Sequence, residues 1–305
     1  MMCRLFVVLF LINYLKIHEN NMYCRVCEFK LKFVKDIKGE KTGELIQLQK
    51  CSNCGSYFSR IDSMDQNIDE LPENQIDGYL NSERDVKKRI NTLFAMLDGE
   101  LSSRKCKKYL DIGCGVGWSL TVATEHGYES HGVEPEIMAT KFASSKLEIN
   151  VVNSYFSSDL FEREYFDLIV MDQVLEHLPN PQHVLTDAFK LLKPDGVFFL
   201  GVPPVDWSRK ATSMSLNLST DTVNKIRKNT HLKRLVSLID KYDIFISPEG
   251  HINYFTVKGI KELAKECDAI VVRELHNNIY RAIYFPYINI TTGSFILKKK
   301  LSNLS

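Results

Sequence analysis

A chain of 305 residues with 44% apolar and 25% charged residues has the balance of an ordinary globular protein, which excludes collagen-like, coiled-coil-only and wholly disordered structures. The formal net charge is +1, whereas a protein that grips nucleic acid mainly through phosphates carries a strong basic excess, so the balance argues against that class. At this length a core forms unaided, and a metal or disulfide needs a local reason.

Residues 5–15 are almost wholly apolar and follow Arg4, in the manner of a secretory leader. The run is shorter than the roughly 20 residues a bilayer span needs, and no small-x-small cleavage site occurs at Ile17-His18-Glu19-Asn20. This reading favours Met22 as the start, with residues 1–21 an upstream extension. A genuine membrane anchor is the alternative, and membrane contact is expected only if that stretch is retained. Export would expose paired thiols to oxidants, so a cytoplasmic, reducing compartment is expected.

Four of the eight cysteines form Cys24-x-x-Cys27 and Cys51-x-x-Cys54, with 23 residues between the pairs. Each pair can aim two thiolates at one tetrahedral ion. Zinc suits four thiolates, and a closed shell of this kind leaves no position for substrate, so a structural Zn2+ is expected in a small ribbon over 22–61. The segment is too short and polar to build a core alone, and metal binding there would supply most of the folding free energy, on the order of 10 kcal/mol. Arg25, Lys30, Lys32 and Lys50 can offset the surplus negative charge. Two unrelated redox or buried pairs are the competing reading; redox chemistry of the thioredoxin kind needs a βαβ context that is missing here.

A polar connector broken by Pro72 leads to a single predicted helix over 75–97, where Ile76, Leu80, Val86, Ile90, Leu93, Phe94 and Leu97 recur at near-helical spacing. Residues 62–105 are thus a helical linker. From 106 short apolar strands alternate with amphipathic helices, the strands falling at 108–112, 130–134, 149–152, 166–171 and 196–202. That alternation predicts right-handed βαβ units in a parallel sheet with helices on both faces. Residues 270–276, 280–284 and 294–298 read as further strands, the last two as an antiparallel hairpin.

Asp111-Ile112-Gly113-Cys114-Gly115-Val116-Gly117 follows the first of these strands and opens a helix running to about His126. Gly113 permits the sharp turn, Gly115 presents bare backbone to a ligand, and Gly117 allows close helix packing. Glu134 ends the second strand, where a carboxylate can accept both hydroxyls of a ribose. The spacing is not the dinucleotide Gly-x-Gly-x-x-Gly, and the lysine a triphosphate needs is missing.

At these residues, together with Phe166-Asp167-Leu168-Ile169, Gln173-Val174-Leu175-Glu176-His177-Leu178 and Leu192-Lys193-Pro194-Asp195-Gly196-Val197, the chain resembles the class I S-adenosylmethionine-dependent methyltransferases of the ubiquinone and small-molecule type. The resemblance covers roughly 107–202, with the tail similar to that family's last strands. It implies an α/β fold, a Rossmann-like seven-stranded sheet over 106–301 with the small zinc ribbon in front. It also implies that Asp111, Gly113, Cys114, Gly115 and Gly117 surround the methionine part of S-adenosyl-L-methionine, Asp111 near its ammonium. Glu134 would hold the ribose and Gln173 would line the donor pocket. For the adenine contact, both Asn153 and Asp159 stay open.

On the acceptor side, a base is needed only if the acceptor is a hydroxyl or a carbon acid, and histidine suits. His177 follows Glu176 at what reads as a helix start. A similar Glu-x-x-Glu-His motif binds magnesium in the ubiquinone-type enzymes, but Gln173 stands where its first glutamate would be. His177 is equally readable as a packing residue beside Pro179 and Pro181. His251, in Pro248-Glu249-Gly250-His251-Ile252-Asn253-Tyr254-Phe255-Thr256, resembles a segment that approaches the active site in many small-molecule methyltransferases and is the favoured candidate. Trp207 and Tyr254 are candidates for the pocket wall or for the core.

An insertion at about 204–248 is placed to cover the acceptor pocket. Its cationic helix, with Lys225, Arg227, Lys228, Lys233 and Arg234, suits an anionic acceptor or is simply a solvated face. The expected partner is a small-molecule, sugar or lipid-precursor acceptor. Two other classes compete. RNA methylation through the ribbon is opposed by the neutral charge and the lack of a recognised aromatic-basic cluster; a non-catalytic cofactor-binding scaffold is opposed by the intact glycines and Glu134.

Overall fold

The computed structural model describes residues 23–38, 45–59, 75–101, 107–149, 151–202, 205, 251–277 and 292–300. The leader (1–21), the insertion apart from Val205, Trp207 and the strand expected at 280–284 lie outside them.

Seven strands form the main sheet: β4 (Lys107–Ile112), β5 (Tyr128–Val133), β6 (Val151–Val152), β7 (Phe166–Asp172), β8 (Leu192–Val202), β10 (Ala269–Asn277) and β11 (Thr292–Lys299). Their order is β10-β11-β8-β7-β4-β5-β6. The first five pair in parallel, and β11 runs antiparallel to both β8 and β10. Expected parallel βαβ units are therefore present, and the tail supplies the antiparallel element.

The strand expected at 280–284, and with it the hairpin to 294–298, lies outside the described residues. Residues 293–297 of β11 pair with β8 on one edge and with β10 on the other, so both edges are occupied.

Why the strands read as near-continuous apolar runs is clear from their packing. Tyr109, Leu168, Val170, Val197 and Phe199 face one cluster with helices α2 (Glu83–Leu101) and α3 (Trp118–Glu125). Their neighbours Leu110, Ile169, Met171, Phe198 and Leu200 face the other, with α5 (Pro181–Leu191) and α6 (Val257–Glu266). A parallel sheet buried on both faces needs this composition.

The single helix expected over 75–97 is two, α1 (Gln75–Asn81) and α2. The break is at Ser82, whose hydroxyl donates to the Tyr79 carbonyl at 2.7 Å while its own carbonyl accepts from Asp85 and Val86 N–H at 3.1 and 2.9 Å. A serine competing for backbone in this way starts a new helix. Ile90, Leu93, Phe94, Leu97 and Leu101 of α2 then fill the core above β4.

A second sheet has the order β1-β2-β3-β9, formed by β1 (Leu31–Lys38), β2 (Leu45–Cys51), β3 (Tyr57–Ser59) and β9 (Asn253–Tyr254). Three strands come from the cysteine-rich segment and the fourth from the stretch just after His251. The ribbon is thus built into the larger unit: Cys24, Val26, Leu31, Cys51, Cys54 and Phe58 belong to the same buried cluster as β7, α5 and α6. Tyr254 packs with Ile37, Leu48, Tyr57 and Val205, which makes it a core residue.

Candidate functional site

The glycine turn sits at the carboxyl ends of β4 and β5. Gly113, Gly115 and Gly117 have φ of 76°, 53° and 90°, the left-handed region that side chains disfavour. Space is restricted at the first two: a Cβ on Gly113 would lie 2.5 Å from Val174 Cγ2, and one on Gly115 would lie 2.8 Å from the Tyr79 ring. Gly117 caps the amino end of α3, and the Cys114 side chain is buried beside Gly132.

Two carboxylates face this turn. Asp111 is buried and accepts a hydrogen bond from the Ser119 hydroxyl; burial pushes its carboxyl up to about 7, against the opposing effect of Ser119. Glu134 is 5% exposed, and its two oxygens accept the Gly115 N–H at 2.9 Å and the Glu136 N–H at 3.0 Å. Burial raises it above the usual carboxylate range, with the two N–H bonds opposing. Asn153 donates to the Glu134 and Pro135 carbonyls, both at 3.0 Å, so it stands beside Glu134; Asp159 is exposed in a short turn at Ser158–Leu160.

Gln173, directly after β7, is one of the few non-glycine residues with positive φ (60°), held by its N–H donating to the Gly201 carbonyl at 2.8 Å. Its buried Nε2 meets no described acceptor in good hydrogen-bond geometry, although the amide lies close enough to the neighbouring Asp172 carboxylate to favour its charged form. A strained residue with a buried, incompletely satisfied amide is the kind of feature that collects at ligand sites. Bare glycines, two acidic groups and this unsatisfied donor together fit a nucleoside with an amino-acid tail.

Sequence reasoning missed Tyr79. It is half-buried over Gly115, its carbonyl accepts the Trp118 indole N–H at 3.0 Å, and it packs with Ile76, Leu80 and Val116. The signal was present, since 76, 79 and 80 have the spacing of one helical face. Arg89 and Asp172 were missed as well; they form an ion pair of 2.8 Å at the end of β7.

His177 does not begin a helix, as the sequence suggested. It ends a short 3-10 turn, Leu175–His177, and α5 begins separately at Pro181 with Asn180 as its cap. The local reason is the pair of prolines, 179 and 181, which prevents one continuous helix. His177 is exposed and meets His251 edge to face, with ring centroids 4.7 Å apart. Burial, with His177 adding to it, holds His251 down at about 4. Glu176 is fully buried beside them, its oxygens make no hydrogen bond to a described residue, and burial pushes it up to about 8.

The possible ligand atoms of Glu176, His177 and His251 all lie within 4.8 Å of one another. One carboxylate and two imidazoles lack the oxygen-rich, octahedral shell that magnesium requires. With Gln173 in place of a second carboxylate, these residues do not fit a magnesium site.

Cys24, Cys27, Cys51 and Cys54 also gather within 4.8 Å, and Sγ atoms of 24 and 54, and of 27 and 51, are 3.6 Å apart. A disulfide would bring them to about 2.05 Å, whereas the edge of a tetrahedron with 2.3 Å bonds is about 3.8 Å. The N–H groups of Val26, Asn53 and Cys54 point at Cys24 and Cys51 sulfur at 3.4 Å, which favours thiolates. Crowding pushes the Cys24 thiol up and the Cys54 thiol down, as two sulfurs share a proton. The set fits a tetrahedral thiophilic cation.

The ribbon also exposes Tyr23, Phe29 and Phe33 beside Lys30, Lys32 and Lys35. In sequence Phe29 and Phe33 alternate with lysines over 29–35. No helix among the described residues is long and apolar enough to cross a membrane.

Comparisons with known proteins agree with this geometry. Residues 79–274 match the family described as "Methyltransferase domain". The "Ubiquinone biosynthesis O-methyltransferase" of Shewanella sp. (strain ANA-3) is 28% identical over 177 residues, covering 53% of this chain and 73% of that protein. The protein of the same description from Actinobacillus pleuropneumoniae serotype 5b (strain L20) is 25% identical over 165 residues, 51% of this chain and 66% of that one. Among solved structures, 1,6-didemethyltoxoflavin-N1-methyltransferase of Burkholderia thailandensis, with bound 1,6-didemethyltoxoflavin and S-adenosylhomocysteine, is 14% identical, covers 80% of this chain and 95% of that one, and has a TM-score of 0.46.

Proposed function

Because the chain belongs to the methyltransferase-domain family and is an S-adenosylmethionine-dependent methyltransferase, we propose that it methylates a nucleophilic atom of a small-molecule, sugar or lipid-precursor acceptor, using His251 and His177 on the acceptor side and a structural zinc in the ribbon. The names of the relatives support an oxygen nucleophile. The observation that carries the reading is contiguity. Val174 stands against Gly113 of the donor turn, and the same 174–177 segment ends in the imidazole that meets His251.

The sulfonium donor supplies an activated methyl group and a good leaving group. The protein must therefore bring an acceptor into line at near-attack distance. Asp111 answers the ammonium, Glu134 the ribose hydroxyls, and the Gln173 amide donates into the donor pocket. With the donor bound, His251 would take the acceptor's proton as the methyl group is transferred, since burial keeps its imidazole unprotonated at physiological pH. Glu176, protonated at pH 7 in its apolar site, does not compete as an anion. Cys24, Cys27, Cys51 and Cys54 would hold a zinc in the ribbon with four protein thiolates, leaving it no open position and so no part in the chemistry.

The test is transfer of labelled methyl from the donor into fractionated cell extract. His251→Gln and His177→Gln should bind S-adenosylhomocysteine normally, with His251→Gln losing turnover. Donor binding with no label entering any fraction would overturn the reading. A second reading, methylation of RNA held by the ribbon, is favoured by the exposed Tyr23, Phe29 and Phe33 among lysines. Strongly salt-dependent RNA retention by the intact chain would support it.

A further inference from the structure

The ribbon's two knuckles touch one stretch of the larger unit, residues 251–256, and do so through many bonds. Arg25 lies between Cys24 and Cys27, with its guanidinium over the Phe58 ring at 5.5 Å. Its Nη1 donates to the Ile252 carbonyl at 2.9 Å and to Asn253 Oδ1 at 3.0 Å, and its Nη2 donates to the Ser59 carbonyl at 2.9 Å. The Ser59 N–H donates to the same Ile252 carbonyl at 3.0 Å, and β3 pairs with β9 through Tyr57 with Tyr254 and Phe58 with Asn253. At the second knuckle, the Thr256 hydroxyl donates to the Cys54 carbonyl at 2.7 Å, and the Thr256 N–H donates to Ser56 Oγ at 3.2 Å.

From its other side the same stretch holds the turn that carries Glu176 and His177. The Ile252 N–H donates to the Glu176 carbonyl at 2.9 Å, and Asn253 Nδ2 donates to the Leu175 and Leu178 carbonyls at 3.1 and 2.6 Å. Residues 252 and 253 are therefore bonded to the ribbon on one side and to the acceptor-side turn on the other. A flat fork with donors spread over two nitrogens can span three acceptors at once; a lysine ammonium on a flexible stem cannot hold them in that arrangement.

We propose that Arg25 is a positioning residue through which the metal-bound knuckle fixes residues 251–253, so that His251 is held against the Glu176–His177 turn. The proposal rests on the acceptor-side assignment of His251 for its functional consequence, but not for its structural one. It gives the ribbon a purpose other than partner binding: loss of the metal would release Arg25 and loosen the acceptor side while leaving the donor turn, which the ribbon does not reach through these bonds, as it was.

The test uses the full-length chain with labelled histidine and S-adenosylhomocysteine bound, comparing the parent with Arg25→Gln, Arg25→Lys and His251→Gln. Zinc content, donor affinity, the His251 ring resonance and exchange of the Ile252 amide are read together. Arg25→Gln is expected to keep zinc and to bind S-adenosylhomocysteine within about twofold of the parent, yet to shift the His251 resonance and speed exchange at Ile252 about tenfold or more, the size expected for losing a hydrogen bond to a charged group. Arg25→Lys should fall short of rescue, and turnover on the labelled fraction should fall in both, but with no additional loss when combined with His251→Gln. An unchanged resonance and unchanged exchange in a zinc-loaded Arg25→Gln would overturn the proposal. So would loss of zinc from both variants, since Arg25 would then be a folding residue. Full turnover by His251→Gln, with the resonance still responding to Arg25, would sink the catalytic reading of His251 and leave the positioning intact.

Discussion

Replacing Glu134 by alanine probes the donor pocket most directly. Its carboxylate accepts the Gly115 and Glu136 N–H groups at 2.9 and 3.0 Å in a site that is 5% exposed. Removing it leaves two buried donors without an acceptor, at about 1–3 kcal/mol each, a cost that falls on the free and bound protein alike. On the proposed reading, the loss in affinity would come from the ribose hydroxyls, whose charge-assisted bonds contribute about 1.5–3 kcal/mol. At about 1.4 kcal/mol per decade this corresponds to roughly ten- to 150-fold weaker binding. Calorimetry with S-adenosylhomocysteine, run beside thermal unfolding, separates the two effects. Glu134→Gln keeps a carbonyl acceptor without the charge and should fall between parent and alanine. A folded Glu134→Ala chain that binds within twofold of the parent would refute the reasoning and confine Glu134 to bracing the turn.

If Asp111 meets the donor's ammonium as proposed, the donor affinity should depend on pH. With the free carboxyl at about 7, the anion that meets the ammonium is lost as pH falls, so affinity should drop about tenfold per unit below pH 7 and level off above it. Asp111→Asn should remove that slope in calorimetry between pH 5.5 and 8, and a slope that persists in the variant would assign it elsewhere. Gly115→Ala puts a methyl group 2.8 Å from the Tyr79 ring at φ 53°. It should lower the melting temperature and weaken donor binding, and adding Tyr79→Ala should recover all but the backbone strain of about 1–2 kcal/mol. Protein purified without added zinc should carry about one equivalent per chain by elemental analysis, as expected of four thiolates. Cys51→Ser should lower that below half and destabilise the chain, whereas full occupancy in the variant would count against the four-thiolate site.

What the sequence revealed of this molecule divides by range. The thiol pairs and the glycine turn were legible because their chemistry depends on residues a few positions apart, where the backbone itself imposes the geometry. The central strands β7 and β8 were legible because burial on both faces demands long apolar runs. Pairing of β3 with β9 left no local trace, since a two-residue strand around Asn253 has no periodicity to detect. The strained backbone of Gln173 was equally hidden: glutamine at a left-handed position is set by the Gly201 carbonyl across the sheet, not by its own neighbours. Likewise the meeting of His177 with His251 depends on a connection that no spacing rule could supply. Pairing of β11 with β10 was hidden for a related reason, because an apolar run does not by itself say which neighbour it will lie beside in the sheet.

The sheet shared by the ribbon and β9 bears on how the chain matures during synthesis. Ser56 and Thr256, bonded across that seam, are 200 residues apart. At translation speeds of about 5–20 residues per second, the amino-terminal strands wait about 10–40 s for the strand that completes them. Over that interval Phe58, sealed from water in the finished fold, has only the ribbon's own residues, Arg25 among them, to cover it. Early capture of a cation by the nascent thiols would limit the time in which this half-made edge can stick to other chains.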